Sequence, residues 1–386
     1  MHTQSKFRLL VVRLGAMGDI LHALPAVTAL RQAHPGWVID WLVEPRWSAL
    51  LAADNSTPSP AASPAASPTA NSEGMKTGPT SAMPNPARPV VDRLHLASTR
   101  EWRRNPLSGK TFNEIMVLRQ ALRAGNYDTV LDLQGAVRSA VLGQMAGSLR
   151  LIGEAQPREW AARLLFTERV ETHGPHVIEQ DVELASAVAG DDLKPVAPLL
   201  PVDPEAEAWV DGILPRDSAV PAVLINPGAG WGAKRWPVER YAAVAQGLID
   251  RGLRVLVNAG PGEEALAEAI VQEAGAAIPV HCTLPQLIAL TRRVALAIAG
   301  DTGPLHLACA LRRPVVGIYG PTDPSRNGPF GTRFRVLRSP ESRRDHTRHA
   351  EPEAGLMTIT PENVLRAADE LLNELPGELL AEKTVE

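Results

Sequence analysis

The chain has 386 residues, 45% of them hydrophobic and 21% charged, which is enough apolar material for two folded domains. Its net charge of −4 at pH 7 argues against a general nucleic-acid-binding protein, and its two cysteines argue against a disulfide framework or a cysteine-based metal site. No run approaches the roughly 18 to 20 apolar residues of a membrane span, and the start lacks a signal-peptide pattern, so we expect a cytoplasmic protein without a transmembrane segment.

A short apolar run at residues 7–14 begins the predicted fold. Its β-branched middle is typical of a strand that is buried on both faces of a parallel sheet. Gly15 and Gly18 follow this run, and apolar residues recur at helical spacing after Asp19. Asp19 is therefore predicted to lie between a strand and a helix, where open α/β sheets bind ligands. A helix cap without chemistry is the alternative role for this carboxylate.

Strands and helices alternate through the rest of the first half. Apolar patterns predict strands at 38–43, 90–96 and 127–135, and a helix at 111–124. The composition changes to Ser, Pro, Ala, Thr, Asn and Gly from about 55 to 89. Such a segment cannot bury enough apolar surface to offset its ordering entropy, so we predict a disordered insertion within the first domain.

Basic and polar residues follow two of these strands. Arg100, Arg103 and Arg104 form a cluster after the strand at 90–96. Gln134 ends the strand at 127–135, and Arg138 follows within the first turn of the next helix. A solvated basic helix face is one interpretation of the arginine cluster, and a role in binding is the other.

Proline-rich spacing at 194–204 and 215–221 predicts a hinge between domains at 1–205 and 206–386. The second half has its own β/α series, so two doubly wound domains are expected to face each other across a cleft. A last helix is predicted after Thr360, and it could pack back on the first domain. The predicted strands of the second half are 222–226, 253–258, 277–280, 294–299 and 314–319.

The loop at 226–237 is suited to the oxygens of a phosphate or diphosphate. It contains three glycines, among them Gly228 and Gly230, and Lys234 just ahead of a predicted helix. A glycine-rich connection with a solvated lysine is the alternative. Neither a Walker motif nor a Gly-x-Gly-x-x-Gly after the first strand of either half is present, which argues against a P-loop enzyme and a dinucleotide-dependent oxidoreductase.

A second candidate anion site follows the strand at 294–299. Asp301, Thr302, Gly303 and His306 surround a predicted helix start, whose free N–H groups attract negative charge. Because Asp301 would repel a phosphate, we expect it to hold a hydroxyl or the loop itself, with plain capping as the alternative. Glu264 follows another strand and is suited either to ribose hydroxyls or to an ordinary first-turn charge.

In their order and spacing these motifs resemble the heptosyltransferases of lipopolysaccharide core assembly, in glycosyltransferase family 9, and among them heptosyltransferase I. The resemblance covers nearly the whole chain outside the insertion. It implies a GT-B fold with two Rossmann-like domains, the acceptor bound to the first and ADP-heptose to the second. The matching motifs are Met17–His22 with Leu24-Pro25, Arg100–Arg104, Tyr127-Asp128, Asp132–Gly135, Lys234–Pro237, Asp301–Gly303 with His306, and Tyr319–Pro324.

The resemblance also implies an activity. Such an enzyme moves L-glycero-D-manno-heptose from ADP-heptose to the Kdo of lipid A at the cytoplasmic face of the inner membrane, with inversion and without a metal or cofactor. Asp19 would be the general base and Lys234 a diphosphate ligand. The implied donor residues are Gly228, Gly230, Lys234, Glu264, Asp301, Thr302, Gly303 and His306, and the acceptor residues are Gly18, Arg100, Arg103, Arg104, Gln134 and Arg138.

One departure keeps the acceptor open. Ala229 and Gly230 stand where heptosyltransferase I usually carries threonines, and this glycine-rich loop is more similar to heptosyltransferase II, which adds the next heptose. Addition of the second heptose and the use of another nucleotide sugar are therefore alternatives. A non-catalytic binding module is a third, although the presence of both Asp19 and Lys234 argues against it.

Overall fold

The protein is described here from a computed structural model, over residues 6–51, 89–342 and 351–374. In these ranges strands and helices alternate and form two α/β domains, each built on one parallel sheet. The insertion predicted from about 55 to 89 lies outside the described residues, except for Pro89.

The sheet of the first domain contains β1 (Arg8–Val12), β2 (Val38–Val43), β3 (Arg93–Leu96), β4 (Thr129–Asp132), β5 (Leu151–Glu154) and β6 (Glu168–Val170). These strands are parallel and lie in the order β3-β2-β1-β4-β5-β6. The central strand β1 is buried on both faces, as its continuous apolar sequence predicts. The sequence patterns did not predict β5 and β6, which are only four and three residues long.

The helices of the first domain are α1 (Met17–Ala33), α2 (Thr99–Arg104), α3 (Gly109–Ala124), α4 (Val137–Gln144) and α5 (Val177–Ala189). Alternate side chains of β1 point to opposite faces of the sheet, and both faces are buried. The helices therefore cover both faces of the sheet. Leu9 and Val11 join the core under α1 and α5. Leu10 and Val12 join a second cluster under α3 and α4.

The sheet of the second domain contains β7 (Ala222–Asn226), β8 (Arg254–Asn258), β9 (Ile278–Val280), β10 (Leu296–Gly300), β11 (Val315–Tyr319) and β12 (Phe334–Arg338). These strands are also parallel, in the order β12-β11-β10-β7-β8-β9. The sequence patterns predicted every strand except β12. The helices are α6 (Pro204–Ile213), α7 (Val238–Asp250), α8 (Glu264–Ala274), α9 (Leu284–Arg293), α10 (Gly303–Ala310), α11 (Pro324–Asn327) and α12 (Pro361–Asn373).

Both sheets have the same connectivity. In each of them the first strand lies beside the fourth, β1 beside β4 and β7 beside β10, and the strand order reverses at that point. Open α/β sheets bind ligands in the crevice at the carboxyl end of such a reversal. The loops that follow β1, β4, β7 and β10 are therefore where the fold itself predicts a site.

Two details differ from the predicted domain organisation. The boundary between 205 and 206 falls in the first turn of α6, and α6 packs on α9 of the second domain. Arg292 and Arg293 of α9 bind Glu207 and Asp211 of α6, so α6 belongs with the second domain. Helix α12 packs against α7, β11 and β12 instead of returning to the first domain, because its apolar face completes the core of the second domain.

Candidate active site

The two domains meet at the starts of α1 and α10. A Cβ atom on Gly303 would lie 2.6 Å from Sδ of Met17, and one on Gly18 would lie 2.8 Å from Cδ2 of His306. Both glycines therefore allow the two helices to approach closely. Since Asp19 lies at the start of α1 and Asp301 just before α10, this contact brings the catalytic candidate of the first domain to the donor candidates of the second.

Asp19 is the third residue of α1, which begins two residues earlier than the sequence predicted. Its Oδ2 accepts the backbone N–H of Ala16 at 3.0 Å, and its Oδ1 lies 3.6 Å from Nη2 of Arg13. The carboxylate thus satisfies one of the free N–H groups at the helix start, although Ala16 is the N-cap residue. Its side chain is 37% exposed, which leaves it accessible to a ligand in the crevice.

Two further carboxylates lie near Arg13 and are almost fully buried. Burial raises the pKa of Asp181 to about 7 and that of Asp132 to about 6, while the charge of Arg13 opposes both shifts. Asp132 accepts the N–H groups of Gln134 and Gly135. Neither Arg13 nor Asp181 belongs to a motif that predicted a site residue. A basic residue directly after β1 and an acid on the buried face of α5 were the available signals.

We expect Asp181→Asn to raise the melting temperature at pH 8 by at least about 3 °C. The folded-state pKa of about 7 exceeds the ordinary value of 3.8. The folded protein therefore retains a proton that the unfolded chain has lost, so stability decreases as pH rises from about 4 to about 7 and remains low above that range. Asparagine removes this cost, and thermal unfolding between pH 5 and pH 8 measures it.

The control for this change is Asp217→Asn, at an exposed aspartate of the second domain. We expect it to leave the pH dependence of the melting temperature as in the wild type. A lower melting temperature of Asp181→Asn at pH 8 would contradict the expectation, because it would mean that the ionised carboxylate is stabilised by Arg13 more than it is penalised by burial.

Lys234 lies at the end of a 3-10 turn, Gly232–Lys234, after β7. Its ammonium group donates a hydrogen bond to Oδ2 of Asp301 and lies 4.2 Å from the ring centre of Trp231. Both charged side chains of this pair are about nine-tenths buried. Burial alone would raise the pKa of Asp301, but the hydrogen bond from His306 and the charge of Lys234 outweigh it and hold that pKa well below its usual range. Asp301 therefore holds in place the side chain of Lys234, the residue predicted to bind the diphosphate.

A chain of polar contacts continues from this pair into the first domain. Nε2 of His306 lies 3.3 Å from Oδ1 of Asp301, and Nδ1 of His306 lies 3.1 Å from Nε2 of His22. His22 follows Asp19 by one turn of α1. Burial, followed by the nearby His306, lowers the pKa of His22 well below its usual value, so its imidazole is neutral. A continuous series of contacts thus connects the donor loop to the helix that carries Asp19. It runs through Lys234, Asp301, His306 and His22.

The structure brings Glu263, one residue before the predicted Glu264, to the donor loop. Oε1 of Glu263 accepts the N–H of Ala229 at 3.3 Å, and the same carboxylate occupies the space that a Cβ on Gly228 would need. Glu264 instead begins α8 and accepts the N–H of Gly262, a hydrogen bond that lowers its pKa. The space around Gly230 is open. The nearby carboxylate of Glu263 therefore explains why residue 228 is a glycine. The open space at Gly230 leaves room for a ligand.

The predicted acceptor residues take two kinds of position. Gln134 accepts the N–H of Leu14 at 2.8 Å and donates to the carbonyl oxygen of Gly15 at 3.1 Å, so it holds the loop that precedes Asp19. Arg138 is exposed at the second residue of α4. The cluster of Arg100, Arg103 and Arg104 is exposed on α2. Thr302 is the N-cap residue of α10, and its hydroxyl donates to the carbonyl oxygen of Gly300.

The described residues show neither a metal-binding cluster nor a helix that could span a membrane. Within 6–51, 89–342 and 351–374, no group of three or more His, Cys, Asp or Glu side chains is arranged to hold a metal ion. In the same ranges, every helix is too short or too polar to cross a lipid bilayer.

Comparison with known families identifies the protein class. The family model described as glycosyltransferase family 9 (heptosyltransferase) matches residues 115–356, which is more than half of the chain. The chain belongs to glycosyltransferase family 9. It is therefore a glycosyltransferase of the heptosyltransferase family.

Individual relatives of this family 9 enzyme span most of its length. Lipopolysaccharide heptosyltransferase 1 of Escherichia coli K12 is 29% identical over 338 residues, covering 86% of this chain and 94% of the relative. Lipopolysaccharide heptosyltransferase 2 of the same strain is 27% identical over 274 residues, covering 66% and 78%. The solved structure of E. coli heptosyltransferase WaaC with ADP-2-deoxy-2-fluoro heptose has a TM-score of 0.71 and 26% identity, covering 94% of this chain and 99% of that one. The predicted GT-B fold is thereby confirmed.

Proposed function

We propose that this family 9 enzyme transfers L-glycero-D-manno-heptose from ADP-heptose to the Kdo of lipid A. One observation carries the proposal, namely that the start of α1, which carries Asp19, is in direct contact with the start of α10, which follows Asp301 and its partner Lys234. The donor is supported by the solved E. coli relative, which is named with an ADP-heptose analogue. The acceptor is supported by relatives named heptosyltransferase 1 that align over most of the chain.

The proposed reaction is a direct displacement. The acceptor hydroxyl oxygen forms a bond to the anomeric carbon of heptose while the bond from that carbon to the ADP oxygen breaks, so the anomeric configuration inverts. Asp19 accepts the hydroxyl proton and ADP leaves with the electron pair. A positioned base of this kind typically contributes about 10² to 10⁴-fold to the rate. The exposed fraction of the Asp19 carboxylate is what gives an acceptor hydroxyl access to it.

The leaving diphosphate gains negative charge as the bond breaks. The start of α10 favours such charge, and Lys234 provides a cation in a site from which water is largely excluded. Asp301 holds the lysine in place, and His306 in turn contacts Asp301. Glu263, which already contacts the donor loop, is better positioned than Glu264 to bind the ribose hydroxyls of the nucleotide.

A second candidate function is addition of the second heptose. The glycine-rich donor loop with Ala229 and Gly230, and the 27% identity to a heptosyltransferase 2, favour it. Transfer from a different nucleotide sugar is a third candidate function, since the described contacts do not discriminate between sugars.

An assay of ADP release separates these functions. We expect the purified enzyme to release ADP from ADP-heptose with Kdo-lipid A as acceptor, and to be much less active with an acceptor that already carries the first heptose. Preference for the heptosylated acceptor would instead support the second transfer. A panel with other ADP- and UDP-sugars tests the donor, and ADP binding without transfer to any acceptor would support a non-catalytic binding module.

The arginines of α2 supply a prediction about the acceptor. We expect Arg103→Ala and Arg104→Ala each to raise the acceptor KM about 10-fold or more, because a guanidinium bound to a carboxylate or phosphate contributes about 1.5 to 3 kcal/mol. The Kd for ADP should not change, since both arginines are exposed on α2 of the first domain, whereas the donor loop follows β7 of the second. Steady-state kinetics with varied acceptor measures this. An unchanged acceptor KM in both variants would remove the arginines from the acceptor site.

The proposed acceptor is a lipid. We infer that the enzyme works at the cytoplasmic face of the inner membrane as a peripheral protein.

A further inference from the structure

Several large apolar side chains of the first domain are exposed to solvent. Leu107, just before α3, is 99% exposed, and Phe112, in the first turn of α3, is 68% exposed. Trp160 and Leu164, in a 3-10 turn between β5 and β6, are 65% and 64% exposed. Such side chains usually stay singly distributed on a protein surface, and a group of them indicates a contact with another apolar surface.

These side chains belong to one side of the first sheet. Helix α3, helix α4 and the turn at 160–164 all contribute to the same buried cluster, through Leu122, Ala140 and Ala162. They therefore cover the same face of the sheet. The side chains that point away from this cluster, among them Phe112 and Trp160, form the outside of that layer.

Most of the exposed side chains also lie toward the catalytic edge of the sheet. Helix α2 begins after the carboxyl end of β3, and α3 then runs back toward the start of β4, so Leu107 and Phe112 lie near the carboxyl edge. Trp160 begins the turn at 160–164 and lies toward this edge, because the carboxylate of the preceding Glu159 accepts the N–H of Val137 at the start of α4. Leu164 lies farther from the edge, since Gln144 at the end of α4 donates to the carbonyl oxygen of Leu165. Asp19 follows the carboxyl end of β1 in the same parallel sheet. Leu107, Phe112 and Trp160 thus border the edge where transfer is proposed, and Leu164 continues the apolar surface away from that edge.

The charge of this region is opposite to that of the whole chain. Residues 99–124 contain six lysines and arginines against two glutamates, a net charge of +4 in a chain with a net charge of −4. Phe112, Met116, Arg119 and Arg123 follow each other at spacings of four, three and four residues, so they share one stripe of α3. Apolar side chains beside basic ones suit the interface of an anionic bilayer, where the former enter the acyl region and the latter bind headgroups.

We propose that the side chains of Leu107, Phe112, Met116, Trp160 and Leu164, with the basic residues of 99–124, form a surface that docks on an anionic lipid bilayer. We name this the bilayer surface. It would hold the edge with Asp19 against the membrane that contains the acceptor. This last step depends on the proposed lipid acceptor, whereas the binding of a bilayer does not.

Vesicle flotation tests the bilayer surface directly. We expect the wild-type protein to float with vesicles of phosphatidylcholine and phosphatidylglycerol at 3:1, and much less with pure phosphatidylcholine, because the basic residues require anionic headgroups. Leu107→Ser/Phe112→Ser should reduce the partition coefficient at least about 10-fold, since two large side chains no longer enter the bilayer. The control is Phe334→Ser, at a side chain of the second domain that is 43% exposed, and it should bind as the wild type does.

Three results would overturn this assignment. They are an absence of wild-type binding to the anionic vesicles, equal binding by the double variant, and a wild-type dimer in size-exclusion chromatography that the double variant converts to monomer. The dimer result would mean that a second copy of the chain covers the surface. An unchanged melting temperature of the double variant confirms that the comparison is made on folded protein.

Kinetics separate this proposal from the proposed function. With a lipid-free Kdo acceptor we expect the double variant to keep the wild-type kcat/KM, and with the acceptor embedded in anionic vesicles we expect a loss of at least about 10-fold, following the lost partitioning. Vesicle binding with the expected variant pattern but no transfer to either acceptor would contradict the proposed function and leave the bilayer surface standing. Equal losses with both acceptors would contradict the bilayer surface.

Discussion

Asp19→Asn is expected to lower kcat by about 100-fold or more while the Kd for ADP stays within about twofold. The amide cannot accept the acceptor proton, whereas its oxygen can still accept the N–H of Ala16 and so preserve the start of α1. Donor affinity should persist because Lys234 and the start of α10 are unaltered. Steady-state ADP release and calorimetric titration with ADP measure the two quantities.

The control is Asp203→Asn, which makes the same change at another helix start. Asp203 accepts the N–H groups of Glu205 and Ala206 and caps α6, which precedes β7 and is not one of the loops that follow β1, β4, β7 and β10. We expect it to leave kcat unaltered. If Asp19→Asn retained nearly normal turnover, Asp19 would be only a capping residue and the base would have to be sought elsewhere.

Lys234→Ala is expected to raise the Kd for ADP about 10- to 100-fold, because a charge-assisted hydrogen bond to the diphosphate contributes about 1.5 to 3 kcal/mol. The variant should also melt at a lower temperature. It leaves the carboxylate of Asp301 buried with His306 alone, and an uncompensated buried charge is strongly destabilising. Calorimetry with ADP and thermal unfolding measure the two effects separately.

A double variant distinguishes diphosphate binding from mere neutralisation of Asp301. Lys234→Ala/Asp301→Asn removes the uncompensated charge, so we expect it to recover much of the melting temperature but not the affinity for ADP. Recovery of ADP affinity in the double variant would mean that Lys234 serves only as the partner of Asp301. Arg235→Ala is the control, since Arg235 is the adjacent exposed cation and should affect neither quantity.

The predicted and observed strands agree best where the local pattern of apolar residues determines the element. The predicted strands at 38–43 and 222–226 coincide with β2 and β7. Short edge strands such as β6 and β12 were not predicted, because a few half-buried residues give no distinct periodicity. The contact of Glu263 with the donor loop was not predicted for a similar reason, since the direction of a side chain at a helix start depends on where that helix begins.

The sequence by itself determined the two β/α series, the polar loops at their strand ends and the family, because glycine positions, apolar periodicity and motif order are local properties of the chain. Only the tertiary structure decided which side chains meet. The contact of His22 with His306 joins residues 284 positions apart, and the position of Asp181 near Arg13 depends on how α5 packs beside α1. Such contacts follow from the packing of helices against the two sheets, a property of the folded core that no local stretch of sequence carries.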